Sequence, residues 1–102
     1  MAKLIALYKT PADVKAFDRH YFDKHVPIAK KIPGLRRYEI SSGAVAGPGG
    51  ESAYHLVAIL HFDSIAAIQA ALAAPEGQAA AGDLANFAQA GVELIFFDSK
   101  DV

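Results

Sequence analysis

Hydrophobic and polar positions divide the chain into six segments with two kinds of period. Leu4 to Tyr8 is continuously apolar, which predicts a strand near the centre of a sheet. From Leu35 to Gly43, Tyr38 and Ile40 alternate with Arg37, Glu39 and Ser41, so a second strand with one wet face is expected. Ala53 to Phe62 also alternates, with Tyr54, Leu56, Ala58, Leu60 and Phe62 on one face and His55, Val57, Ile59 and His61 on the other. Val92 to Phe97 is apolar on both faces and predicts a last strand.

Two stretches carry the helical period instead. In Thr10–Leu35, Val14, Phe17, Tyr21, Ile28 and Ile32 form one apolar stripe, with Arg19, Asp23 and Lys30 opposite. Thr10 is placed to cap this helix, Pro11 to occupy its first position and Asp13 to meet the positive end of its dipole. Pro27 lacks an amide donor and weakens the helix, and Ile32-Pro33-Gly34 ends the segment as a turn. A second helix is capped by Asp63 or Ser64, carries Ile65, Ile68 and Leu72 on its buried stripe, restarts at Pro75 and stops before Gly91. Gly47-Pro48-Gly49-Gly50 marks a loop between the second and third strands.

The order strand, helix, strand, strand, helix, strand predicts an α+β fold of the ferredoxin-like βαββαβ kind, a four-stranded antiparallel sheet with both helices on one face. Such a sheet leaves its second face bare, and here that face is apolar. A monomer would expose a larger patch than water tolerates. A homodimer is therefore expected, its two sheets packed into a dimeric α+β barrel.

Composition narrows the function classes. The 102 residues suit one domain spanning 1–102, and 53% hydrophobic with 21% charged residues is ordinary for a soluble protein. A formal net charge of −1 gives no basic surface for nucleic acid. The apolar run before Lys9 is too short for a membrane span. Without cysteine there is no thiol chemistry, and a cytoplasmic location is expected.

The candidate chemistry centres on His25, which projects into the middle of the first helix's apolar stripe, with Asp18 and Phe22 bordering it. A histidine there suits general acid–base work, because its ordinary pKa near ~6.5 moves readily on partial burial. Equally, it could tether a helix broken by Pro27. Tyr21 lies one turn away and Asp18 two turns earlier on a similar bearing, placed to orient the ring. Asp83, on the second helix, reads either as a second acid or as an exposed helix aspartate. His20 reads as a partly exposed surface group. It is five residues from His25, which misses a shared helical face, so no metal pair is expected. His55 and His61 lie roughly 20 Å apart at ~3.3 Å per residue and cannot share one metal either.

Three stretches carry a family resemblance: HYFDKHVPIAKKIPGLRRYEI at His20–Ile40, YHLVAILHFDS at Tyr54–Ser64 and PEGQAAAGDLANFAQAGVELIFFD at Pro75–Asp98. Together they span most of the chain, and it resembles the EthD family, the ethyl tert-butyl ether degradation proteins of the dimeric α+β-barrel superfamily. The resemblance implies a protein assisting oxygenase-linked breakdown of ethers or other small hydrophobic compounds, with an oxygenase system as partner. Other relatives imply the alternative, a cofactor-free isomerase, cyclase or dehydratase acting on aromatic or carbonyl compounds. It points most directly to His25 in the His25-Val26-Pro27 element and to Tyr21. The expected catalytic set is His25, Tyr21 and Asp18, and the expected ligand contacts are Phe17, Phe22, Asp83 and Phe87. No metal or cofactor is expected.

Overall fold

The computed structural model describes all 102 residues. Strand β1 (Ala2–Lys9) leads into α1 (Val14–His20), a π-helical turn (Tyr21–His25) and α2 (Val26–Ala29). Strand β2 (Arg37–Ile40), a small hairpin of β3 (Ala46–Gly47) and β4 (Gly50–Glu51), and strand β5 (Tyr54–Phe62) follow. The chain ends with α3 (Ile65–Ala73), α4 (Pro75–Phe87) and β6 (Val92–Asp98). The main sheet has the order β2-β5-β1-β6, every neighbouring pair antiparallel. This is the expected α+β, ferredoxin-like arrangement. No helix is long and apolar enough to cross a membrane.

Alternation along β1 sets the two faces. Ala2, Leu4, Ala6 and Tyr8 are buried beneath the helices, together with Leu56, Ala58, Leu60 and Phe62 of β5. From the helices, Phe17, Tyr21, Ala29, Ile68, Ala71, Ala80 and Phe87 close over them. The opposite face is open. There the strand register aligns Ile5 with Ile59 and Ile95, and Leu7 with Val57 and Glu93.

Two local expectations are corrected, and of the two caps expected for the second helix one is used. Asp13, not Thr10, caps the first helix: its carboxylate accepts from the Ala16 amide at 3.0 Å, while Thr10 bonds the Ala53 carbonyl through both its amide and its hydroxyl. Ser64 is the cap of α3, accepting from the Ala67 amide. On β5, a bulge breaks the alternation. Tyr8 pairs with Leu56 but Lys9 with Tyr54, leaving His55 without a partner on β1. The extra residue reverses the facing of everything before it. His55 turns to the helix side and packs edge-on against Phe17, and Tyr54 turns to the open face and donates to Glu93 at 2.6 Å.

Candidate functional site

The π-helical turn is the element that builds the site. Pro27 has no N–H for the Asp23 carbonyl, and its ring would crowd that oxygen in a regular α-helix. The chain absorbs the conflict in a wider turn, with the Val26 amide donating to the Tyr21 carbonyl five residues back. Such insertions rotate the following residues relative to an α-helical count. His20 and His25, which α-helical spacing would separate, come to the same side of the segment. This corrects the expectation that five residues miss a shared face.

Their common partner is Asp83 of α4. His25 Nδ1 lies 2.9 Å from Asp83 Oδ2, and His20 Nε2 lies 2.9 and 3.1 Å from the two carboxylate oxygens. The Asn86 amide donates to Oδ1 at 2.9 Å. Asp83 is buried, not an exposed helix aspartate. Burial alone would push its pKa up, but hydrogen bonds from Asn86, His20 and His25 outweigh it and hold the carboxyl below its ordinary value. Burial shifts His25 the other way for a base: desolvation lowers its pKa, against the upward pull of Asp83. An ionised carboxylate only accepts, so His25 Nδ1 carries the proton and its Nε2 presents a lone pair.

That nitrogen has no hydrogen-bond partner within the protein, yet it is not sealed from solvent-sized contact. His25 lines a cavity of about 60 Å³ between the sheet and the helices. Leu4, Ala6, Ala58 and Leu60 form its floor, and Ala29, Ile32, Ala80 and Leu84 its roof. The only polar side chains in its wall belong to His25, Tyr8 and Tyr38. Tyr38 shares a 2.6 Å hydrogen bond with Tyr21. The Tyr8 hydroxyl has no partner in the protein and is likewise not sealed. Burial raises its pKa, as do the nearby Tyr38 and Asp83, and keeps the phenol protonated. The cavity runs to half-exposed Leu94 on edge strand β6.

The other expected site residues are distributed around this centre. Tyr21 is fully buried behind Tyr38 and does not line the cavity; its ring packs against His25 at 5.4 Å between centroids. Phe17 and Phe87 are buried in the aromatic cluster, where Phe87 supports the rings of Tyr8, His20 and His25. Asp18 does not reach His25. Its carboxylate accepts from His55 Nε2 at 2.8 Å, and Asp83 from the other helix takes the position beside His25. Phe22 is half-exposed and lines a separate surface cleft with Asp18, Ser41 and His55. His61 pairs with Glu39 at 2.6 Å. Sequence reasoning missed His20 and Tyr8. A proline two residues after His25 was the available signal for the first; nothing in the strand pattern marked the second.

The EthD domain, as a family model, matches residues 9–91. An uncharacterised 11.0 kDa protein encoded in the thcB-thcC intergenic region of Rhodococcus erythropolis is 43% identical over 102 residues, covering all of this chain and 98% of that protein. An EthD-family protein from Bacillus halodurans is 39% identical with a TM-score of 0.89, covering 98% of this chain and 99% of that one. Two more distant crystal structures share the fold. SnoaB of Streptomyces nogalater, a cofactor-independent oxygenase, is 17% identical with a TM-score of 0.70, covering 99% and 94% of the two chains. A dimeric ferredoxin-like protein of unknown function from Thermobifida fusca is 16% identical with a TM-score of 0.68, covering 94% and 88%.

Proposed function

The chain belongs to the EthD family, and on that premise we propose that it binds a small hydrophobic compound in the His25 cavity and transfers a proton there without a cofactor. One observation carries the reading. A neutral imidazole, fixed at Nδ1 by a buried carboxylate, keeps its Nε2 lone pair free beside a space whose wall is apolar but for His25, Tyr8 and Tyr38. His25 would be the acid–base group and Asp83 its positioning residue. His20 and Asn86 would hold Asp83, and Phe87 would support the rings. An apolar wall excludes water and strengthens each polar contact within it.

Below its lowered pKa His25 becomes imidazolium and can no longer accept a proton. Turnover that uses it as a base is expected to fall on the acid side, at a pH below the ordinary histidine value. The test is an NMR titration of the His25 ring with a panel of small aromatic and ether compounds, paired with His25→Ala. A ring whose titration moves on ligand addition, and a variant that keeps its fold but loses turnover, would support the proposal. A ring indifferent to every compound would end it.

A second, non-catalytic reading also has an observation behind it. The His20–Asp83–His25 bonds tie the π-helical turn to α4, so His25 also serves as a tether. Here the chain would carry a hydrophobic compound for an oxygenase partner, and His25→Ala would lower stability more than it changed ligand binding. A homodimer is part of both readings. The open sheet face, with Ile5, Ile59 and Ile95 in one row, supports it, and so does the dimeric state stated for the Thermobifida relative.

A further inference from the structure

We infer that the cavity is built for a neutral hydroxyl-bearing hydrophobic molecule, an alcohol or phenol, whose oxygen accepts from Tyr8 Oη while its O–H donates to His25 Nε2. This deepens the proposed function and rests on the same cavity. Three side chains in its wall are polar, and Tyr38 shares with Tyr21 a 2.6 Å hydrogen bond that uses one of the pair's two O–H groups. Two polar atoms remain without protein partners, the Tyr8 hydroxyl and His25 Nε2. Their rings share two neighbours, both packing on Phe87 and both on Tyr21, and both line the cavity.

The two atoms have opposite character. Tyr8, kept protonated, offers a donor; His25, with its proton fixed toward Asp83, offers an acceptor. A hydroxyl group is the smallest function that satisfies both at once. An ether oxygen or an isolated carbonyl would accept from Tyr8 and leave His25 Nε2 facing carbon. A carboxylate would bring negative charge toward Asp83, and no lysine or arginine lines the cavity to balance it. Sites built around a paired polar group discriminate strongly against analogues that leave it unpaired. At about 60 Å³ the half-open space takes the hydroxyl-bearing end of a ligand, the rest leading out past Leu94.

The test compares three probes of one skeleton, phenol, anisole and benzoate, by calorimetry and by His25 ring shifts, on the wild-type protein and on Tyr8→Phe. The variant removes one oxygen and keeps the ring that packs on Phe87. Phenol is expected to bind the wild type about tenfold or more tightly than anisole or benzoate. Tyr8→Phe is expected to bring phenol down to the level anisole shows on the wild type, one hydrogen bond each, and to weaken anisole too, since its oxygen loses the same donor. Binding of phenol and anisole with equal affinity, or a Tyr8→Phe protein that binds phenol as the wild type does, would overturn this inference and leave the cavity reading standing. No binding and no His25 shift with any probe would overturn both.

Discussion

At the scale of single residues, Asp83 decides the chemistry, because one buried carboxylate fixes the tautomer of His25 and holds His20. Replacing it with Asn keeps the shape but turns one of its two acceptor oxygens into an NH2 donor, against a histidine N–H. One ring must then change tautomer, and His25 Nε2 is expected to lose its role as acceptor. We expect Asp83→Asn to cost about 2–3 kcal/mol, the range of hydrogen bonds to a charged group, read from urea denaturation. Acid should weaken the wild type in two windows. The folded His25 pKa is depressed, so the unfolded chain takes up a proton first, and stability falls as pH drops below the ordinary histidine value, near ~6.5. The folded Asp83 pKa is also depressed, so its contribution is lost only below the ordinary carboxylate range. Denaturation curves across pH should lose the upper window in His25→Phe. The importance of His25 was legible from the sequence, since a histidine stood on an apolar stripe. Its partner was not: Asp18 lay on a similar helical bearing, while Asp83 is 58 residues away.

At the scale of elements, the π-helical turn and the contact between α3 and α4 do the positioning. Pro27 announced an irregularity, but whether a proline kinks, ends or widens a helix depends on which carbonyls the surroundings can satisfy. Two glycines of α4 separate propensity from packing. A Cβ at Gly77 would stand 1.9 Å from the Ala71 carbonyl oxygen, whereas at Gly82 it would meet nothing within 4 Å. Propensity alone makes both Gly→Ala changes stabilising. We expect Gly82→Ala to gain up to about 1 kcal/mol, and Gly77→Ala to lose about 1–3 kcal/mol by forcing the helices apart. Thermal unfolding of the two variants side by side would check the pair, and a stable Gly77→Ala would mean that the helix junction is softer than its geometry implies. The bulge at His55 is a similar case. Strict alternation assigned Tyr54 and His55 to faces that the extra residue then exchanged.

For the whole molecule, the open face of the sheet sets the expected assembly. On that face Ile95 and Phe97 of edge strand β6 are 50% and 40% exposed in the single chain, while Leu94 and Phe96 of the same strand face the helix side. Ile95 continues the apolar row of Ile5 and Ile59, which are themselves only half-buried. Lys3, Arg37 and the His61–Glu39 pair rim one end of this face, and Tyr54 with Glu93 rims the other. An apolar centre with a polar rim is the composition of an interface core. We expect a charge in that centre, Ile95→Lys, to convert a dimer to monomers in sedimentation experiments and to leave the His25 ring shifts of the remaining fold in place. A variant that stays dimeric would move the interface elsewhere.

Hydrophobic period and turn chemistry determined the element order, the antiparallel sheet, the helix-covered face and the apolar face left over, because each depends on neighbours within a few residues. The residues that build the site were decided elsewhere. Tyr8 comes from the first strand, His25 from a widened turn, Tyr38 from an edge strand and Asp83 from the last helix. Hydrogen-bond satisfaction across long sequence separations brought them together, and local periodicity carries no record of which buried donor will meet which acceptor.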